Sequence, residues 1–198
     1  MGQIARRDLL IAGAALAGAA VPGPAATAGL APTPQNDLGP FYKRGAPSNA
    51  VLRRPGDRGL PLTLAGTVFR STGERLPAAR IELWHSDDAG DYDMAGVRFR
   101  ADLKADDRAG YAAATVMPGH YPGRVCQHVH FIVRADGCGP LVTQLYFATD
   151  PVFEGDPDRH YGRDPLLVSR ELIRPVTLVA QDGVTAAHCL FDLVLEAL

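Results

Sequence analysis

The chain of 198 residues predicts an all-β fold, an antiparallel β-sandwich core with long loops. Three observations carry that expectation. Apolar residues recur with period two over most of the chain beyond residue 28, turn signals interrupt the apolar runs, and no long helical pattern competes. The first run, "LTLAGTVFR" (62–70), ends in the turn residues "STGERLP". "ARIELWHS" (79–86) follows and gives way to "DDAGDYD", rich in Asp and Gly. "DDRAGY" leads into "YAAATVM" (111–117), and "PGHYPG" closes it. "HVHFIVR" (128–134) and "LVTQLYFA" (141–148) are separated by "ADGCGP", a hairpin-like connection. A polar stretch from "EGDPDRHYGRD" to Pro165 reads as a loop longer than most. The last candidates, "RPVTLVA" (174–180) and "AHCLFDLVL" (187–195), flank the turn "QDGV".

The first 28 residues differ in kind. Arg6 and Arg7 precede an Ala/Gly-rich apolar run from Leu9 to Val21, which Pro22, Gly23 and Pro24 break. The run is short of the ~20 residues a spanning helix needs, and "ATA" at 26–28 is a small-residue cleavage pattern. A ragged N-terminal helix is the competing reading. Residues 1–28 read as a signal peptide, and the paired arginines as the twin-arginine type. Export to the periplasm is the expectation, with no stable membrane anchor after cleavage. Removal of residues 1–28 takes Arg6, Arg7 and Asp8, leaving 18 basic and 21 acidic residues and a net charge of -3. That balance makes no electrostatic case for nucleic acid. None of Cys126, Cys138 and Cys189 forms a C-x-x-C pair, so no zinc ribbon or thioredoxin motif is present. Cys126 and Cys138 flank the 128–134 strand, where a disulfide is open in an oxidising compartment.

The densest chemistry lies in "PGHYPGRVCQHVHF" (118–131). His128 and His130 sit two apart in a strand and therefore share a face. Tyr121 and Arg124 lie just upstream. Of the six tyrosines, Tyr92 and Tyr121 fall in turns, where site residues concentrate. Tyr111 and Tyr146 fall inside strand patterns and read as packing residues, Tyr161 lies in the polar loop, and Tyr42 belongs to "LGPFY".

These motifs resemble a known family. "LAGTVFRSTGERLPAARIELWHSDDAGDY" (64–92) resembles the signature of intradiol ring-cleavage dioxygenases, and "GPFY", "PGHYPGR", "HVHF" and "TQLYF" are similar to further blocks of that family, in its order. The resemblance spans roughly residues 36–151 and marks 29–198 as the catalytic domain. It implies a nonheme Fe(III) centre bound by Tyr92, Tyr121, His128 and His130, and cleavage of a catechol-type substrate with O2 to a cis,cis-muconate-type diacid. The ligand types agree with that: ferric iron is a hard cation that favours anionic oxygen, and imidazole is a common iron ligand. The resemblance further implies that Tyr121 is the ligand the substrate displaces, and that Arg124 steadies charge on the ring. Gln144 would pack near that arginine, and Tyr42 would border the substrate pocket. Two departures stand out. Four positions separate Arg124 from His128 where the family pattern has three, and His120 stands where the pattern often has proline. His85 reads as structural, and His160 and His188 carry no motif.

Two rivals meet the same residues. A non-catalytic transthyretin-like β-sandwich binding module shares the strand pattern but has no need of Tyr92, Tyr121, His128 and His130 together. A cupin-like metal enzyme also carries His-x-His on a strand, but it wants a glutamate soon after, and positions 131–139 hold none. The identity of the catechol is not readable from the sequence. Oligomeric state also stays open, a homo-oligomer included.

Overall fold

The computed structural model describes residues 29–181 and 183–198. The leader read at residues 1–28 lies outside them. Two five-stranded sheets pack against each other. One is built around the long strand β1 (Pro61–Arg70) and includes β4 (Gly110–Val116), β8 (Val176–Gln181), β9 (Val184–Leu190) and β10 (Leu193–Leu195). The other runs in the order β3 (Arg100–Lys104), β2 (Arg80–Trp84), β5 (His128–Arg134), β6 (Leu141–Phe147) and β7 (Ile173–Arg174). The all-β sandwich agrees with the sequence. Its sheets are mixed, however: β9 and β10 run parallel to β1, and β7 runs parallel to β6. The run at 187–195 splits into β9 and β10 around Phe191 and Asp192, where Thr67 N–H donates to Asp192 Oδ1. β3 has no counterpart among the sequence candidates. Its only inward apolar side chains are Ala101 and Leu103, set among Arg100, Asp102 and Lys104. The polar loop holds a single turn of α-helix, α1 (Pro157–His160), started by the Asp156 side chain accepting from Arg159 N–H.

The core forms between the sheets from Leu62, Leu64 and Val68 of β1 and Ile81, Leu83, Val129, Phe131, Val133 and Leu145 of the second sheet. Side chains alternate along β5, so burying Val129, Phe131 and Val133 in that core sends His128 and His130 to the opposite face. Each large apolar side chain so buried contributes about 1.5–3 kcal/mol, enough to hold this register against a slip. All three cysteines are free and buried. Cys126 and Cys138 stand at opposite ends of β5, and a seven-residue strand spans roughly 20 Å, far beyond disulfide reach. Among the described residues no helix is long and apolar enough to cross a membrane.

Candidate metal centre

The outer face of the second sheet carries an in-register row: Arg100 of β3 opposite Trp84 of β2, Trp84 opposite His130 of β5, and His130 opposite Gln144 of β6. One step along, His128 lies opposite Tyr146. Directly opposed residues in antiparallel strands bring their side chains within contact, so this face gathers two imidazoles, an amide and a phenol.

Loops cover this face and add the tyrosines. Tyr92 Oη lies 3.3 Å from His128 Nε2, and Tyr121 Oη lies 3.5 Å from the same nitrogen. Gly90 brings the two tyrosine loops together. Its φ is +95°, and a Cβ there would stand 2.1 Å from the His120 carbonyl oxygen and 3.1 Å from Tyr121 Cβ. Phe41 stacks on Tyr92 (centroids 4.3 Å apart, planes at 14°) and meets Tyr121 edge-on.

His128 is oriented by its other nitrogen. Nδ1 lies 2.8 Å from the Cys126 carbonyl, so Nδ1–H donates there and Nε2 keeps a free lone pair toward the tyrosines. Burial, helped by the charge of Arg124, depresses the His128 pKa to about 3. His130 is held neutral in the same way, by burial first and then by His128 and Arg124. Neither ring nitrogen of His130 finds a hydrogen-bond partner among the described residues. The Asp37 main chain is near but outside bonding geometry. A buried imidazole without partners is costly, and a ligand that accepts its lone pair removes that cost. Burial also pushes the Tyr92 and Tyr121 hydroxyls above the ordinary phenol range, and for both the Arg124 charge pulls the other way.

These four side chains fit a metal. The two hydroxyls stand 3.3 and 3.5 Å from His128 Nε2, the spacing expected of groups bonded at about 2 Å to one ion. The His130 ring lies beside His128 with centroids 4.9 Å apart, and two phenol oxygens with two neutral imidazoles suit ferric iron. Among the described residues no three His, Cys, Asp or Glu side chains gather in metal-binding geometry, so a metal here depends on the tyrosines.

Arg124 reaches the site despite its spacing. It is buried, and one terminal nitrogen donates both to Gln144 Oε1 (2.8 Å) and to Tyr146 Oη (3.0 Å). Gln144 in turn donates to the Asp37 carbonyl (2.6 Å), tying the segment that carries Phe41 to the sheet. Tyr42 sits one layer out: its ring lies on Trp84 (5.0 Å) and its hydroxyl donates to Glu82 Oε2. Phe41, its neighbour in "GPFY", is the residue that touches the tyrosines. His85 is structural, with Nδ1 at Ser86 O and Nε2 at Thr115 Oγ1.

Several participants went unread in the sequence. Tyr146, whose strand pattern reads as packing, places its hydroxyl between Arg124 and Gln144. Nothing in the sequence separates Trp84, Phe41, Arg100, Asp150 and Asp164 from ordinary packing or solvated residues. Buried Arg100 donates to the Asp93 carbonyl just after Tyr92, while its Nε and one terminal nitrogen lack partners among the described residues. Position in the row beside Trp84 was the available signal, and it required β3.

A family model described as Dioxygenase matches residues 38–197. The chain belongs to the intradiol ring-cleavage dioxygenase family. Catechol 1,2-dioxygenase of Acinetobacter baylyi is 30% identical over 84% of this chain and 63% of its own length. Hydroxyquinol 1,2-dioxygenase of Rhodococcus opacus is 31% identical over 80% of this chain and 62% of its own. The chain thus spans less than two thirds of these intradiol relatives. A solved structure, the dioxygenase domain of a dioxygenase–carbohydrate-binding protein fusion from Streptomyces sp. SirexAA-E, is 30% identical with a TM-score of 0.72, and the match covers 85% of this chain and all of that one. Family membership sets aside the transthyretin-like binding module.

Proposed function

We propose that this chain is a nonheme Fe(III) enzyme that cleaves a catechol-type aromatic with O2 between its two hydroxyl-bearing carbons, giving a cis,cis-muconate-type diacid. The observation that carries the reading is the convergence of the Tyr92 and Tyr121 hydroxyls on His128 Nε2, beside a His130 whose ring nitrogens have no partner. Tyr92, Tyr121, His128 and His130 would hold the iron. Bound there, ferric iron supplies the chemistry that makes a chelated catechol reactive toward O2.

The chain's own groups do the rest. The Cys126 carbonyl fixes the His128 tautomer so that Nε2 is the donor. Tyr92 is pinned under Phe41 and stays as a fixed oxygen donor. Tyr121 is followed by exposed Pro122 and Gly123, so it would be the ligand able to give way to substrate and to take a catechol proton on its oxygen. Arg124, held by Gln144 and Tyr146, offers fixed positive charge against the negative charge that develops on the ring. Phe41 supplies an aromatic wall against both tyrosines. The relatives' names, catechol, hydroxyquinol and chlorocatechol 1,2-dioxygenases, support a catechol ring without selecting its substituents. The paired arginines and apolar run of the leader support export by the twin-arginine pathway.

The test is oxygen uptake by iron-loaded protein over a series of catechols, with the product identified by mass. One O2 consumed per catechol, with both oxygen atoms in a ring-opened diacid, is the expected result. Cleavage beside the hydroxyls, or no uptake with any catechol, would overturn the reading.

A further inference from the structure

Two of the three residues between Arg124 and His128 are tied down by carboxylates from one distant loop. Cys126 N–H donates to Asp164 Oδ2 (3.1 Å), and Gln127 N–H donates to Asp150 Oδ2 (2.7 Å). Both carboxylates are almost wholly buried, Asp150 at 1% exposure and Asp164 at 2%. Their second oxygens are also engaged. Asp150 Oδ1 accepts from Val152 N–H and lies 3.0 Å from His120 Nε2, and Asp164 Oδ1 accepts from Leu166 N–H. A carboxylate that deep is expensive unless charge and hydrogen bonds compensate it.

The cation facing Asp164 is Arg124, whose Nε stands 3.8 Å from Oδ2. The same loop meets the other partner of Arg124, because the Leu166 carbonyl accepts from Tyr146 Oη (3.2 Å). Cys126 links the two ends of the segment: its N–H is held by Asp164, and its carbonyl accepts Nδ1–H of His128. The additional residue is thus accommodated in a bend at Cys126, with the Cys126 and Gln127 N–H groups both satisfied.

We propose that Asp164, supported by Asp150, is a positioning residue for the reaction, setting where Arg124 stands beside His128 and Tyr146 and, through Cys126, how His128 is aimed. Neither carboxylate touches the metal ligands directly. The inference rests on the dioxygenase reading above for its effect on turnover, while the clamp itself is a property of the fold.

Asp164→Asn keeps an oxygen for the Cys126 N–H and removes the charge, whereas Asp164→Ala removes both. With iron-loaded full-length protein, Asp164→Asn should lower kcat about tenfold or more, because small displacements of a catalytic group are costly. KM should stay within about twofold, the pattern of an interaction made in the transition state. Iron content and the visible band should be retained. Combined with Arg124→Ala, the substitution should cost nothing further, since its effect passes through Arg124. Glu154→Gln, on the same loop but paired with Arg163 at the surface, should behave as wild type. Wild-type kcat in Asp164→Asn, or a further loss in the Arg124→Ala background, overturns the assignment. Hydrogen exchange at the Cys126 amide of the full chain as purified provides the second measurement. It should be slow in wild type and Asp164→Asn and fast in Asp164→Ala. Unchanged protection in Asp164→Ala overturns the clamp even if no catechol is turned over, and that last outcome alone would count against the dioxygenase reading instead.

Discussion

Trp84 lies flat against His130, with ring centroids 4.9 Å apart and planes 4° from parallel. Gly39 crowds the same imidazole: a Cβ at that position would stand 2.8 Å from His130 Cε1, and its φ is +71°. The ring is thus held by packing, with no hydrogen bond among the described residues. Gly39→Ala should displace it and lower iron retention at least about tenfold, the scale at which disturbed ligand support weakens metal binding. Gly45→Ala is the control, because Gly45 has a similar φ of +84° but nothing within 4 Å of its Cβ position. Both variants carry the strain of a left-handed alanine, so only Gly39→Ala should lose iron. Equal iron in the two would show that the contact with His130 is unimportant.

Ferric iron bound to phenolate absorbs visible light by charge transfer, which separates the tyrosines. Tyr121→Phe should shift the band and keep part of the iron, since it removes the ligand that substrate itself would replace. His128→Ala and His130→Ala should lose most of it. Tyr111→Phe should stay coloured, because the Tyr111 hydroxyl donates to the Phe191 carbonyl in the core; its expected penalty is about 1–2 kcal/mol of stability. Bleaching in Tyr111→Phe with none in Tyr121→Phe would discard this ligand set.

Arg124→Ala should reduce kcat by about 10²–10³, the usual cost of one stabilising donor, with iron retained. Tyr146→Phe should keep its colour and yet turn over more slowly, because it removes a hydroxyl that accepts from Arg124. Stopped-flow oxygen consumption with iron quantified in the same samples measures both. A normal rate in Arg124→Ala would move the electrostatic role to another cation.

His85 links stability to pH. Burial holds its folded-state pKa down at about 4, with Arg100 adding to the depression and the Ser86 bond and Asp87 opposing it. The unfolded chain takes up that proton near 6.5, so acid favours unfolding. The contribution is fully present above pH 6.5 and is lost as pH falls toward 4, roughly 3 kcal/mol in all. His85→Gln removes the titrating ring and keeps an amide that can bond Thr115 Oγ1. In urea melts of metal-free protein, its stability should fall less than wild type's between pH 6.5 and 4. Parallel curves would refute the linkage.

Replacing Arg6 and Arg7 by lysine should leave folded, metal-binding protein in the cytoplasm. Cell fractionation with a folded-state assay reads this directly, and unchanged export would exclude the twin-arginine route.

The strands with alternating apolar residues were readable because period-two burial writes itself into sequence. β5 shows it most plainly, with Val129, Phe131 and Val133 inward and His128 and His130 outward. β3 was not readable, because Arg100, Asp102 and Lys104 outweigh two inward apolar residues, one of them only an alanine. Parallel pairing of β9 and β10 with β1 leaves no local mark, since pairing direction is set by how the chain returns. The candidate set of Tyr92, Tyr121, His128 and His130, which the fold brings to one place, was readable through motif order. Their supports were not: Asp164 lies 38 positions from Cys126, and Gln144 lies 107 from Asp37. A single buried aspartate in a polar loop looks like any solvated one until the fold closes.

The two faces of β5 also bear on how such a protein can change. A one-residue insertion or deletion within the strand would send Val129 and Phe131 outward and turn both imidazoles into the apolar interior, so catalysis and folding would fail together. The segments around Phe41, Tyr92, Tyr121 and Asp164 are under no such alternation. New substrate preferences are therefore accessible by grafting or lengthening those loops over an unaltered sheet, and libraries confined to them should yield far more folded, iron-binding variants than libraries directed at the strand.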